Sequence, residues 1–261
     1  MTAAADLPLA GRHAFVTGAG GGIGTAVSAA LVRHGARVTL VGRNRASLEA
    51  AARAHDATRV SLVQADVAER ASIAAAFAAA REAFGPTHIL VNSAGQAASA
   101  PLHKAEDALW HAMLAVNLTG SYLCIREALP DMLAEGFGRI VTVASTAGLI
   151  GYPYVTAYCA AKHGVVGLTR ALALEVATKN ITVNAVCPGY TDTAIVRDAI
   201  ANIQAKTGRT TEEARASLVA ANPQRRLVRP EEVANAVAWL CLPGAESITG
   251  QSIPVAGGEV M

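Results

Sequence analysis

The chain has 261 residues, a formal net charge of +2 and a hydrophobic fraction of 52%. This length is ample for a large buried core, and the nearly balanced charge lacks the basic stripe typical of nucleic-acid binding proteins. No continuous apolar run is long enough to span a membrane, and residues 1–9 lack the basic region of a signal peptide. We therefore expect a cytoplasmic globular protein that binds neither nucleic acid nor membrane.

Short β-branched runs alternate with longer helical segments along the chain. The predicted strands are 13–17, 37–41, 60–64, 89–92, 139–144, 182–186 and 252–255, and the predicted helices are 23–34, 47–54, 69–84, 107–133, 156–178 and 230–240. This alternation predicts an α/β fold, a Rossmann-like doubly wound parallel sheet of about seven strands with helices on both faces. Since no repeat or linker interrupts the pattern, we expect a single domain over residues 1–261.

Residues 191–229 depart from this rhythm, because polar, helix-compatible sequence replaces a short crossover. Long insertions after a strand are often functional, so we expect a substrate lid here. A surface helix pair without a function is the alternative.

The first predicted strand runs into a glycine-rich loop and then into a helix. Glycines at this place allow a tight turn, and the free N–H groups of the helix N-terminus attract the phosphates of a dinucleotide. An ordinary turn is the alternative, because glycine runs alone are weak evidence. The expected cofactor-binding residues of the loop are Thr17, Gly18, Gly20, Gly22, Ile23 and Gly24.

The end of the second predicted strand carries Arg43 after Gly42. An acid here would bind the ribose 2′-hydroxyl of NAD, whereas a guanidinium can hold a 2′-phosphate with two charge-assisted hydrogen bonds. We therefore favour NADP(H), with NAD(H) as the alternative. In an NAD enzyme an arginine here can stack on the adenine. A third alternative is that Arg43 and Arg45 only solvate a helix start.

Tyr158 and Lys162 are spaced four residues apart on one predicted helix. Residues at this spacing lie on one helix face, and a neighbouring ammonium favours the phenolate form of a tyrosine. Tyr158 can then donate a proton to a ketone or accept one from an alcohol. The YxxxK pattern alone is a weak motif.

Two polar residues join this pair. Ser145 follows the fifth predicted strand and can donate to a developing alkoxide. Asn117 interrupts an apolar helix, which it can kink, and it can hold a water that relays protons to Lys162. Taken singly, Ser145 and Asn117 also fit capping or core hydrogen-bonding roles.

In this order and spacing, the motifs resemble those of the short-chain dehydrogenase/reductase family, in its short single-domain form near 3-oxoacyl reductases and 3-hydroxyacyl dehydrogenases. The likeness runs from about Gly11 to Gly258 and departs from the family pattern mildly, at Ser93 and Thr191. It implies a catalytic tetrad of Asn117, Ser145, Tyr158 and Lys162. It also implies cofactor contacts from Asp66 and Val67 to adenine, from Tyr158 and Lys162, and from Asn92, Ala94, Gly95, Pro188, Gly189, Thr191 and Thr193.

The resemblance implies an NAD(P)(H)-dependent enzyme that interconverts a ketone and a secondary alcohol, usually as a homotetramer. The segment 146–156 carries no cation, which disfavours a small free acid such as hydroxybutyrate. A 3-oxoacyl or 3-hydroxyacyl thioester is the first expectation, with the cluster Arg225, Arg226 and Arg229 facing a coenzyme A phosphate or only solvent. The expected substrate contacts are Gln96, Ala147, Tyr152, Val155 and Tyr190.

Two other functions stay open from the sequence. The enzyme could reduce aromatic, cyclic or polyketide-like ketones, or the chain could sense a cofactor without turnover. The cysteines and histidines are scattered without a CxxC or HExxH pattern. The sequence therefore predicts no metal site, and reduced core thiols at Cys124, Cys159, Cys187 and Cys241.

Overall fold

In a computed structural model, which describes residues 7–261, seven parallel strands form one sheet in the order β3-β2-β1-β4-β5-β6-β7. The strands are β1 (His13–Thr17), β2 (Arg37–Gly42), β3 (Val60–Gln64), β4 (Ile89–Asn92), β5 (Gly138–Val143), β6 (Ile181–Pro188) and β7 (Ser252–Val255). The predicted fold class is confirmed. The predicted fifth strand was wrong at its end, because Ala144 already lies beyond β5, and the sixth strand is longer than predicted.

Helices cover both faces of this sheet. They are α1 (Gly22–Arg33), α2 (Arg45–Ala52), α3 (Arg70–Phe84), α4 (Asp107–Leu114), α5 (Gly120–Glu135), α6 (Thr156–Val176), α7 (Ala194–Thr207), α8 (Thr211–Leu218) and α9 (Pro230–Cys241). One apolar cluster joins α1 and α9 to the sheet, and a second joins α3, α5 and α6 to its other face. The order of the strands reverses between β1 and β4, so their carboxyl ends open a crevice in which such folds bind ligands.

The single helix predicted over residues 107–133 is interrupted. A π-helical turn, Ala115–Thr119, separates α4 from α5 and contains Asn117. The Asn117 Nδ2 donates to the Met113 carbonyl oxygen at 3.0 Å, so the side chain competes for the backbone of the preceding turn. The predicted distortion at Asn117 is confirmed, although the helix ends later than expected.

Within residues 7–261, the stretch Asp107–Glu135 is long and apolar enough to cross a membrane by length and composition. It is built from α4, the π turn and α5, which packs on α3, β4 and β5. Cys124, Ala128 and Met132 on α5 belong to the core cluster under the sheet. This position is that of a core helix of an α/β domain.

Residues 191–229 contain two helices, α7 and α8, and a connection that returns to the sheet. Thr191 pairs with Val228 in an isolated parallel bridge, so the two ends of the insertion meet. Val196, Ile200, Ala214, Val219 and Leu227 form a small apolar cluster of their own, with Tyr190 packed against it. The insertion is thus a separately packed cap at the carboxyl ends of β6 and β7.

Candidate active site

The loop after β1 forms a close-fitting backbone cradle. Gly18 has a φ of +65°, and a Cβ on it would lie 2.8 Å from the backbone of Ala94. A Cβ on Gly24 would overlap the Gly18 carbonyl, and one on Gly20 would lie 2.8 Å from the Ser47 Cβ. Larger residues at these positions would push the loop away from its neighbours, so the glycines are needed for the turn itself.

The first and fourth strands are joined beside this loop. The Thr17 Oγ1 accepts hydrogen bonds from the backbone N–H groups of Ser93 and Ala94, each at 3.1 Å. Asn92 is buried, and its Oδ1 finds no partner among residues 7–261. Thr17, Asn92 and Ala94 were predicted as cofactor contacts, and they lie together at the crevice between β1 and β4.

The N-terminus of α1 is open to an anion. Gly21 caps it without a side-chain hydrogen bond, and the first turn, which includes Gly22 and Ile23, contains no acidic residue. A Cβ on Gly22 would lie 3.0 Å from the Thr193 Cγ2, so the start of the cap touches the glycine loop. The free N–H groups and the positive end of α1, together with a loop whose backbone a ligand can approach closely, suit the pyrophosphate of a dinucleotide.

The adenosine end of this crevice carries opposite charges. The Arg43 side chain is 66% exposed, and its Nη1 lies 3.9 Å from the Asp66 Oδ2. The Asp66 Oδ1 accepts from the Ala68 N–H at 2.9 Å. Val67 is buried against Gly120, so its side chain lies in the core rather than on an open surface. Arg43 is therefore free to bind an anion.

Ser145 lies close enough to Tyr158, near the end of β5, for its hydroxyl to lower the pKa of the phenol. The Ser145 Oγ also accepts from the Ala147 N–H at 3.1 Å, which leaves the Ser145 proton for the Tyr158 oxygen. Burial raises the pKa of Tyr158 to about 12, and the nearby Ser145 hydroxyl partly offsets this rise. Tyr158 therefore keeps its proton at neutral pH.

Lys162 is buried below the tyrosine. Its Nζ donates to the Val143 carbonyl oxygen at 2.9 Å and lies 5.6 Å from the centre of the Tyr158 ring. Burial lowers the pKa of Lys162 to about 8. The argument that the ammonium and an oxidised nicotinamide together favour the phenolate stays a prediction, and burial of Tyr158 acts in the opposite direction.

Asn117 reaches the same place from the π turn. Its Nδ2 donates to the Gln96 carbonyl oxygen at 2.9 Å, and its Oδ1 accepts from the Gln96 N–H at 3.2 Å. A Cβ on Gly95 would lie 3.0 Å from the Asn117 Oδ1 and 3.8 Å from the Lys162 Nζ. Asn117 and Lys162 thus border one spot beside Gly95. The Gln96 side chain is directed away, since its Nε2 donates to the Ala112 carbonyl oxygen.

The expected substrate residues divide into two groups. Tyr152 and Tyr190 face each other edge to face, with their ring centres 6.4 Å apart. Ala147 is buried in the short turn Thr146–Gly148, and Val155 precedes the first turn of α6. We call the pair of Tyr152 and Tyr190 the aromatic wall. Ala147 contributes to the turn through its N–H, which donates to the Ser145 Oγ.

Glu259 contacts the aromatic wall through Tyr152, and the sequence did not predict it as a site residue. The Tyr152 hydroxyl donates to the Glu259 Oε1 at 2.6 Å, and the Tyr152 oxygen lies 2.8 Å from the Thr146 Oγ1. No local motif contains Glu259, so only the tertiary structure reveals this contact.

A cavity of about 200 Å³ lies at the start of α6. Trp110 and Tyr154 provide its aromatic surface, while Glu106 and Asp107 provide its charge. Thr156 and Ala157, which directly precede Tyr158, also line it. This cavity, with a mixed aromatic and acidic lining, adds space next to the helix that carries the catalytic candidates.

The basic cluster at the end of the cap is largely paired. Arg226 donates to both carboxylate oxygens of Glu232 at 2.7 Å, and Arg229 lies 3.4 Å from the same carboxylate. The expectation that these arginines face a coenzyme A phosphate is therefore weakened, because two of them share one acid at the start of α9. Arg225 is exposed with a φ of +54°.

The remaining cofactor candidates lie at the end of β6. Pro188 ends that strand, and the Gly189 N–H donates to the Val255 carbonyl oxygen. Thr191 and Thr193 are buried, and the Thr193 Oγ1 donates to the Thr191 carbonyl oxygen at 3.2 Å. Among residues 7–261, the four cysteines are free and no group of metal-ligating side chains occurs.

Comparisons with known proteins agree with this geometry. Residues 12–204 match the model of the family described as short chain dehydrogenase. A putative ketoacyl reductase from Streptomyces coelicolor is 40% identical over 255 residues, covering 94% of this chain and 95% of the relative. A cis-4-hydroxycyclohexanecarboxylate dehydrogenase from Sinomonas cyclohexanicum is 39% identical over 249 residues, covering 95% and 96%. A crystal structure of an actinorhodin polyketide ketoreductase variant with NADPH superposes with a TM-score of 0.89 at 37% identity, covering 95% of this chain and 97% of that one.

Proposed function

We propose that this protein catalyses the NADPH-dependent reduction of a neutral 3-oxoacyl thioester to the 3-hydroxyacyl product. The chain belongs to the short-chain dehydrogenase/reductase family. The family establishes the coarser activity, an oxidoreductase that acts on ketones and alcohols. The observation that carries the proposal is the closeness of Ser145 to a protonated Tyr158, next to a segment, 146–156, that contains no cationic residue for an anionic substrate.

The reaction follows from the positions of these groups. Tyr158 donates its proton to the ketone oxygen, and the Ser145 hydroxyl donates a hydrogen bond to the same oxygen. The reduced nicotinamide supplies the hydride when it is bound. Lys162, held by the Val143 carbonyl oxygen, keeps a positive charge below the tyrosine and favours the negative charge that develops there. Asn117 positions the backbone at Gln96, beside Gly95 and Lys162.

The proposed cofactor contacts follow the crevice. The glycines after β1 and the N-terminus of α1 would hold the pyrophosphate, and Asp66 would meet the adenine. Arg43 would bind the 2′-phosphate of NADPH, since it is exposed and only weakly paired. Thr191 and Thr193 would hold the nicotinamide side from the start of the cap.

A cyclic or polyketide-like ketone is the second candidate. The edge-to-face pair of Tyr152 and Tyr190 and the adjacent cavity offer aromatic surface for a ring. Two of the relatives, the cyclohexanecarboxylate dehydrogenase and the polyketide ketoreductase, carry names of this kind. Arg226 and Arg229 are paired with Glu232. The proposed reduction of a thioester therefore does not depend on their binding the phosphates of coenzyme A.

We make three further proposals, which concern the lid, the oligomeric state and the cellular compartment. Residues 191–229 act as a lid over the substrate, because their start contacts both the glycine loop and the aromatic wall. The chain forms a homotetramer, which would cover exposed apolar residues on α5 and α6 such as Tyr122, Leu133 and Leu174. The protein works in the cytoplasm, where its free thiols stay reduced.

The test is the oxidation of NADPH, and separately of NADH, by the purified protein with three substrates in parallel. These are acetoacetyl-CoA, free acetoacetate and a cyclic ketone such as cyclohexanone. We expect the highest kcat/KM with the thioester and NADPH, and a loss of about 100-fold or more in Tyr158→Phe. Turnover of the cyclic ketone alone would replace the thioester by the second candidate, and full activity of Tyr158→Phe would overturn the mechanism.

A further inference from the structure

One carboxylate reaches the substrate side of the site from a remote part of the chain. The Glu259 Oε1 accepts from Tyr152, which is separated from it by 107 positions. The Tyr152 oxygen also lies 2.8 Å from the Oγ1 of Thr146, the residue that follows Ser145. On its other side, the Glu259 Oε2 lies 2.9 Å from where a Cβ on Gly189 would stand. Glu259 therefore lies between the loop after β5 and the loop after β6.

The charge at this position is not matched by a cation. The ion pairs found within residues 7–261 do not include Glu259, and the segment 146–156 contains no basic residue. Glu259 is only partly exposed and is held by a phenol. Such a carboxylate is screened less than one on an open surface.

The electrostatic effect of Glu259 reaches the aromatic wall. The pKa of Tyr190 is raised, first by burial and then by the negative charge of Glu259. The pKa of Tyr152 is raised by burial and by its hydrogen bond to the same carboxylate. Glu259 is not among the groups that shift the pKa of Tyr158. The charge of Glu259 thus acts on the aromatic wall, whereas burial is the main cause of the pKa shift of Tyr158.

We propose that Glu259 is a specificity-determining residue that rejects anionic ketones and admits neutral esters, thioesters and cyclic ketones. This inference rests on the proposed ketone reduction at the same site. A substrate carboxylate next to the wall would face an uncompensated like charge in a partly buried place, whereas an ester group would face only a hydrogen-bonded acceptor. The preference is the difference between the affinities for the neutral and the anionic ketone, and it arises because Glu259 repels the anionic one.

The experiment compares one acyl group in two charge states. Ethyl acetoacetate and free acetoacetate are reduced with NADPH at low and constant ionic strength by the wild type, Glu259→Gln, Tyr152→Phe and Glu82→Gln. The glutamine variant removes the charge and keeps the size and an acceptor for Tyr152. Tyr152→Phe removes the hydrogen bond and keeps the charge. Glu82 is an exposed acid on α3 and serves as the matched control for the loss of one negative charge.

We expect the wild type to prefer the ester in kcat/KM and Glu259→Gln to reduce the ester-to-acid ratio about tenfold or more. Tyr152→Phe and Glu82→Gln should keep the ratio within about threefold of the wild type. The inference fails if Glu259→Gln leaves the ratio unchanged, if the wild type reduces both substrates equally, or if Tyr152→Phe lowers the ratio as much as Glu259→Gln. Failure of the wild type to reduce any 3-oxo ester or thioester would instead overturn the proposed function.

Discussion

Replacement of Arg43 by alanine separates the two nicotinamide cofactors. The Arg43 side chain is 66% exposed and 3.9 Å from Asp66, and exposed pairs contribute at most about 1 kcal/mol. The substitution should therefore leave the folding stability almost unchanged. A charge-assisted hydrogen bond to a phosphate contributes roughly 1.5–3 kcal/mol. We expect the Kd for NADPH to rise about 30- to 150-fold, which corresponds to about 2–3 kcal/mol, and the Kd for NADH to change less than about threefold.

The assay is a fluorescence titration of both cofactors at one ionic strength. Arg45 provides the control, because it is also exposed and its Nε donates to Glu49 on α2 at 2.9 Å. Arg45→Ala removes the same charge nearby and should weaken both cofactors equally and slightly. If Arg43→Ala weakens NADH as much as NADPH, or weakens neither, Arg43 does not bind the 2′-phosphate.

Replacement of Gly42 by aspartate should create a preference for NADH over NADPH. A Cβ on Gly42 would lie 3.3 Å from the Cδ2 of Leu48, which is the end of a flexible side chain. Gly42→Asp therefore fits with a small adjustment and places an acid where it accepts from a ribose 2′-hydroxyl and repels a phosphate. The Kd for NADPH should rise while that for NADH falls or stays constant, as measured by the same titration.

Two further predictions concern the proton donor and the cradle. Burial sets the pKa of Lys162 at about 8 and that of Tyr158 at about 12, so the lysine charge is present below pH 8 and is lost as the pH rises through that value. The kcat/KM for ketone reduction should fall above about pH 8 while Tyr158 is still protonated, and a profile that stays level to pH 10 would contradict this assignment. Gly24→Ala should destabilise the fold by roughly 1–3 kcal/mol, because its Cβ overlaps the Gly18 carbonyl. Gly151→Ala meets open space and should be neutral or slightly stabilising in the same thermal unfolding measurement.

The sequence predicts the parts of this molecule that local spacing determines. The alternation of strands and helices predicts the sheet. The glycine motif around Gly18 and the motif around Tyr158 are each contained in a short stretch of sequence. The broken helix was harder to predict, because the π turn depends on hydrogen bonds from Asn117 to both Met113 and Gln96. The rise in the pKa of Tyr158 could not be predicted either, since desolvation depends on packing that spacing does not reveal.

The substrate wall shows why chemistry and specificity differ in how far a sequence predicts them. Ser145, Tyr158 and Lys162 lie within one stretch of chain, so their motif identifies them. Glu259 reaches Tyr152 only because β7 pairs with β6, which brings the residues after Val255 beside Gly189. The relatives that are 39% and 40% identical to this chain carry names for different substrates. Substitutions in the turn after β7 should consequently change which ketone is accepted more than they change the rate with the preferred one.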